Sequence, residues 1–221
     1  KNTPFGNTMI TDFALAAVEA EALGDDEYTD FLTVSYSSTD YVGHDFGVNS
    51  IELQDTYLRL DLEIERLLNY LDTNVGEGNY SLFLTSDHGA AEVPSFLKDI
   101  DAPGGYVQKN MFTPLYATLK AKYGVSDLIK NISNDQIFLN YDLIKSLQLD
   151  LVDVQEFIVN DIINYSAVSK AYTATTMQTS YFKDGMEKTL QNGYNQKLSG
   201  DVLFTLKSGV IAYGPKGTTH G

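Results

Sequence analysis

Between residues 31 and 89 the chain alternates short apolar runs with one long amphipathic stretch, and that alternation restricts the fold more than any other part of the 221 residues. Phe31 to Tyr36 is rich in apolar and β-favouring residues, which predicts a buried strand. Leu53, Tyr57, Leu60, Ile64, Leu67 and Leu71 then recur at steps of four and three, placing them on one face of a long helix. Asn49-Ser50-Ile51-Glu52 precedes it, with Asn49 as the expected cap and Glu52 reaching back from the third position. Ser81 to Thr85 predicts a second strand. The order strand, loop, helix, strand, loop is that of an α/β fold, a sheet flanked by helices. In open sheets of this kind ligands collect at the carboxyl ends of the strands. One loop carries Asp40 and His44 and the other Asp87 and His88, so both are expected on the same edge.

The flanking regions extend the pattern. Met9 to Leu23 is rich in Ala, Leu and Glu and predicts a helix closing at Gly24. Later come a predicted helix from Met111 to Tyr123, a β-like Gln136 to Tyr141, a helix from Val152 to Asn164, a strand from Val168 to Thr173 and a late strand from Asp201 to Lys207. Pro103-Gly104-Gly105, Asp184-Gly185 and Gly214-Pro215-Lys216-Gly217 read as turns. The expected organisation is one α/β portion over residues 1–221. The segment 94–200 is either the rest of the sheet or an inserted cap.

Composition excludes several classes. Fifteen basic against thirty acidic residues leave a net charge of −15, which argues against binding nucleic-acid polymers or anionic membranes through clustered Lys and Arg. An anionic substrate would need cations to supply local positive field. Without cysteine there is neither a disulfide framework nor a thiolate metal site. No apolar run reaches the roughly 20 residues of a membrane helix. The chain opens at Lys1 and stops at Gly221 directly after a motif, and is read as a piece of something longer.

The three histidines carry the chemistry. His44 ends Ser38-Thr39-Asp40-Tyr41-Val42-Gly43-His44, His88 lies in Thr85-Ser86-Asp87-His88-Gly89, and His220 lies in Gly217-Thr218-Thr219-His220-Gly221. A site for borderline cations needs neutral imidazoles and carboxylates brought together from separate loops. Each motif also has a plainer reading. Asp40 and His44 can form a loop ion pair, Asp87 can cap with His88 on the surface, and a histidine in a glycine-rich turn is common. Asp87 and His88 are neighbours and converge only where a strand bends, which Gly89 permits. The joint use of all three histidines favours metal. Lys216 reads as a solvent-exposed turn residue, and the fifteen tyrosines as core and interface residues.

Taken in order, these motifs resemble the metal-binding motifs of the alkaline phosphatase superfamily, in the branch of type I phosphodiesterases, nucleotide pyrophosphatases and phosphate-irrepressible bacterial alkaline phosphatases. Thr3-Pro4-Phe5-Gly6-Asn7 and the Val48 to Leu71 helix resemble the last of these. The resemblance implies two zinc ions, with Asp40, His44 and His220 holding one and Asp87 and His88 contributing to the other. It implies hydrolysis of phosphate mono- or diesters through a phosphorylated Thr or Ser, in a periplasmic or secreted protein. Two cations roughly 4 Å apart can clamp a phosphoryl group from both sides.

The chain departs from the pattern at its start. In the family a first ligating Asp and the nucleophile lie well before the Asp-x-x-x-His motif. The 39 residues before Asp40 hold no such context. Thr173, Thr175 and Thr176 lie between later motifs without matching surroundings. The nucleophile is therefore expected outside this chain, which alone is expected to be inactive, with one three-ligand site and one half site. Two alternatives stay open: a sulfatase or phosphomutase relative, and a non-catalytic module whose metal holds loops together. Substrate identity and oligomeric state are not legible.

Overall fold

The computed structural model describes residues 2–108, 110–214 and 216–220. Pro215 of the predicted turn and Gly221 of the last motif lie outside the described residues. The chain divides into two compact units, residues 1–106 with 211–221, and residues 107–210. The second unit thus interrupts the first in sequence.

In the first unit α1 (Phe5–Ala20), α2 (Ser38–Phe46) and α3 (Ile51–Leu71) pack together, followed by a π-helical turn at 72–76, α4 (Pro94–Asp99) and the two-residue β1 (Gly105–Tyr106). Helix α1 begins earlier than the Met9 expected, because Pro4 stands at its N-cap position with φ already near the helical value. Its buried residues Asn7, Thr11, Ala14 and Val18 follow helical spacing. Arg66 of α3 ties the two helices together, donating to the Asp12 carboxylate at 2.7 Å and to the Thr8 carbonyl at 3.2 Å. The cap of α3 is Ser50, whose hydroxyl accepts from the Leu53 N–H, and not Asn49. Asn49 instead donates to Glu92. Leu53 and Leu67 of the expected stripe are buried, whereas Tyr57 is 57% exposed.

Phe31–Tyr36 and Ser81–Thr85 depart from expectation. Both lie outside any helix, and neither joins a ladder among the described residues. Phe31 and Phe83 are each 91% exposed. A strand is defined by partners that take its N–H and C=O groups, and apolar patterning alone cannot supply them. On α1, Phe5, Met9 and Phe13 are likewise exposed, as are Leu58 and Leu62 on α3. Both helices therefore present a second apolar face.

The second unit runs α5 (Thr113–Tyr123), β2 (Ile129–Ser133), β3 (Gln136–Leu139), α6 (Tyr141–Ser146), α7 (Leu151–Ile162), β4 (Val168–Thr173), α8 (Ala174–Thr179), α9 (Gly185–Gly193) and β5 (Val202–Leu206). Its sheet has the order β2-β3-β5-β4, with every pair antiparallel. Asn134 and Asp135, both at positive φ, form the two-residue hairpin turn joining β2 to β3. Leu115, Leu119, Val154, Ile158, Ile162, Ile137 and Val202 are fully buried in a single apolar cluster. Here the predicted elements stand within two residues of their expected ends, because each apolar run finds its partner inside the unit. The tempting threonines are structural: Thr173 caps α8 by accepting from the Thr176 N–H, and Thr175 donates to Gln155. The short β6 (Val210–Ile211) pairs with β1.

Candidate metal centre

Asp40 and His44 lie on α2, not in the loop the sequence implied. Ser37-Ser38-Thr39 and the interior Gly43 read as loop residues. The chain nevertheless completes two helical turns before Gly47, at φ +93°, ends them. The four-residue spacing puts both side chains on one helix face. His220 arrives from the other end of the chain. His44 Nε2 stands 3.3 Å from Asp40 Oδ1, and His220 Nε2 stands 3.9 Å from the same oxygen. Ligand atoms of all three lie within 4.8 Å of one another. Around a tetrahedral zinc with bonds of about 2.0–2.1 Å, neighbouring ligand atoms stand roughly 3.3–3.5 Å apart. Two imidazoles and one carboxylate, held at that scale, fit such an ion with one position left open.

The surroundings orient the ligands. The Thr218 carbonyl lies 2.7 Å from His44 Nδ1. A carbonyl can only accept, so Nδ1 carries the proton and Nε2 offers its lone pair toward Asp40 and His220. The Tyr213 ring stacks on His44 at 5.4 Å with 24° between the planes. The Tyr106 hydroxyl donates to the Gly217 carbonyl at 2.8 Å, and burial pushes its phenol pKa up, which keeps it a donor. Asn7, 1% exposed, donates to the Thr39 hydroxyl at 3.2 Å, beside Asp40.

Asp87 and His88 fall outside this three-residue cluster but adjoin it. The His88 ring lies face to face with that of His220, centroids 3.6 Å apart at 29°. His88 Nε2 is 3.4 Å from Asp87 Oδ2, and the Asp87 side chain is 87% exposed. The unladdered backbone lets these sequence neighbours turn toward each other. The structure thus brings Asp40, His44 and His220 together and sets His88 against them. Lys216 is exposed.

Sequence reasoning did not single out Gly217, Thr218 or Tyr213 as parts of the site. Gly217 lay in a motif read only for its histidine, Tyr213 is one of fifteen tyrosines, and contacts made by backbone atoms leave no residue-type signal. Thr3 to Asn7 carried a resemblance without an assigned role.

The sequence model of the family described as type I phosphodiesterase / nucleotide pyrophosphatase matches residues 2–221. The chain belongs to this family. Among its relatives, alkaline phosphatase PafA of Elizabethkingia meningoseptica is 39% identical over 221 residues, covering 100% of this chain and 40% of that protein. A Myroides odoratus protein named calcium-transporting ATPase is 42% identical over 226 residues, covering 100% of this chain and 41% of its own length. Alkaline phosphatase PhoV of Synechococcus elongatus is 41% identical over 217 residues, covering 98% and 39%. The crystal structure of PafA superposes with a TM-score of 0.93 over 99% of this chain and 42% of that one. The fold of this type I phosphodiesterase family member is therefore alkaline-phosphatase-like, and the chain spans about 40% of the length of the curated relatives it matches. No described helix is long and apolar enough to cross a membrane.

Proposed function

We propose that these residues form the metal-binding portion of a hydrolase acting on phosphate mono- or diesters. The observation that carries the reading is the convergence of Asp40, His44 and His220, from opposite ends of the sequence, on one ligand cluster. Family membership and the resemblance to two alkaline phosphatases support the substrate class. Zinc is the ion proposed, since nitrogen and carboxylate donors in a three-ligand set suit it. When bound, such ions supply Lewis-acid stabilisation of phosphoryl charge.

The chain's own residues have separable tasks. Asp40, His44 and His220 would hold one ion, the Asp40 carboxylate offsetting part of its charge. The Thr218 carbonyl keeps His44 in the ligating tautomer. Asp87 and His88 would contribute to a second ion, with their remaining partners on polypeptide outside these 221 residues. The nucleophile is a Thr or Ser on that same polypeptide. Its oxygen bonds to phosphorus as the ester oxygen leaves, and water then cleaves the phosphoenzyme to release phosphate. The exposed apolar faces of α1 and α3, and the unladdered 31–36 and 81–85 segments, support the presence of such a packing partner. Periplasmic or secreted localisation belongs to the same proposal.

A protein extended to the relatives' full length is expected to hydrolyse p-nitrophenyl phosphate or its diester, to lose that activity with chelator, and to regain it with zinc. In it His44→Ala is expected to lower zinc affinity and kcat/KM by at least about 100-fold, the cost of removing a direct ligand exceeding the 10–100-fold typical of outer-shell changes. Absence of turnover by the zinc-loaded full-length protein would sink the proposal. A variant that loses melting temperature but keeps turnover would instead favour a structural metal.

A further inference from the structure

We infer that Thr218 is a positioning residue of the metal centre, acting through its hydroxyl to hold the segment that carries His220. This rests on the metal-site reading above and adds a residue to it. Thr218 is fully buried although it is polar. Its three hydrogen-bonding groups go to two other chain segments. Its N–H donates to the His44 carbonyl at 3.0 Å, and its carbonyl accepts from His44 Nδ1 at 2.7 Å. Its hydroxyl donates to the Ala91 carbonyl at 2.5 Å. Next to it the Ala91 N–H donates to the Thr219 carbonyl at 3.0 Å. One residue thus fastens α2, the stretch just after Asp87-His88, and the stretch that ends in His220.

The backbone pair to His44 survives any side chain at position 218. Only the bond to Ala91 depends on the residue type, and it is the bond that anchors the 217–220 segment on the His88 side. Losing it also leaves the carbonyl of the half-buried Ala91 without that donor. The 218–220 stretch lies in no helix and in no strand. Two bonds to the 91 region and two to His44 therefore account for where His220 stands relative to Asp40. The face-to-face placement of His220 and His88 follows from the same fastening.

The test uses the whole 221-residue chain and zinc, with affinity read by competition against a chromophoric chelator and geometry by the visible spectrum of the cobalt-loaded protein. Thr218→Val keeps the shape and removes the hydroxyl; it is expected to weaken zinc binding about 10- to 100-fold and to alter the cobalt bands. Thr218→Ser restores the hydroxyl and is expected to bind within about threefold of the parent chain, a margin well inside that 10- to 100-fold range. Should the valine variant fail to fold, Thr218→Ala removes the same hydroxyl without bulk and gives the same readout. Parent-like affinity and spectrum in the variants lacking the hydroxyl would overturn the inference, as would a serine variant as weak as they are. His44→Ala separates the levels: if it too binds zinc like the parent chain, the metal site itself has been misplaced and the role of Thr218 falls with it.

Discussion

Gly217→Ala is expected to weaken metal binding at the proposed zinc site through a clash that no side chain can relieve. Gly217 sits at φ +78°, and a β-carbon there would stand 2.1 Å from the His44 carbonyl oxygen and 3.2 Å from Tyr213 Cε1. The first contact is with backbone, so no side-chain rotation relieves it. Either α2 moves at His44 or the 217–220 segment moves with His220, and each displaces a member of the proposed ligand cluster. The left-handed conformation alone costs a non-glycine residue about 1–2 kcal/mol. The expected outcome is a zinc affinity at least tenfold lower, with the metal-free protein destabilised by about 1–3 kcal/mol. Gly214→Ala is the control. A β-carbon there meets nothing within 4 Å, and the variant is expected to bind zinc like the parent. Equal affinities for the two variants would contradict the close approach.

The second large effect lies in the 107–210 unit. Ile158 on α7 is 0% exposed within the cluster formed with Leu115, Leu119, Val154 and Ile162. Ile158→Ala removes buried carbon atoms from a close-packed region, and such changes cost about 2–5 kcal/mol through lost transfer energy and the cavity left behind. Val152→Ala on the same helix, at a side chain 37% exposed, is expected to cost less than about 1 kcal/mol. Chemical denaturation of both variants checks the difference. Similar losses would mean that α7 does not bury the face assigned to it.

What the sequence made legible follows from where each signal's partner lies. Val168–Thr173 was readable as a strand because its ladder partner β5 is itself a readable apolar run in the same unit. Phe31–Tyr36 carried an equally strong strand signal, yet it has no ladder among the described residues, since pattern reports burial preference and not the presence of a neighbour. The three residues of the cluster were legible by type, because a carboxylate and two imidazoles are the side chains from which a metal site is proposed. Their helix was less so, because Gly43 and three consecutive hydroxyl residues mask the helical spacing of Asp40 and His44. Gly217 was invisible as a site residue because its work is done by a missing β-carbon, and Thr218 because a hydroxyl that bonds a distant carbonyl looks in sequence like any other threonine. Ser50 displaced Asn49 as cap by one position, a shift that side-chain chemistry alone does not decide when both residues can accept the same bond.

The central claim is that Asp40, His44 and His220 hold one ion between them. An anomalous difference map at the zinc edge, from crystals of the 221-residue chain grown with zinc, tests it most directly. The account predicts a peak within about 2.0–2.2 Å of an Asp40 carboxylate oxygen, His44 Nε2 and an imidazole nitrogen of His220. A map with no peak among these three side chains, or with zinc held elsewhere while they remain apart, would contradict it.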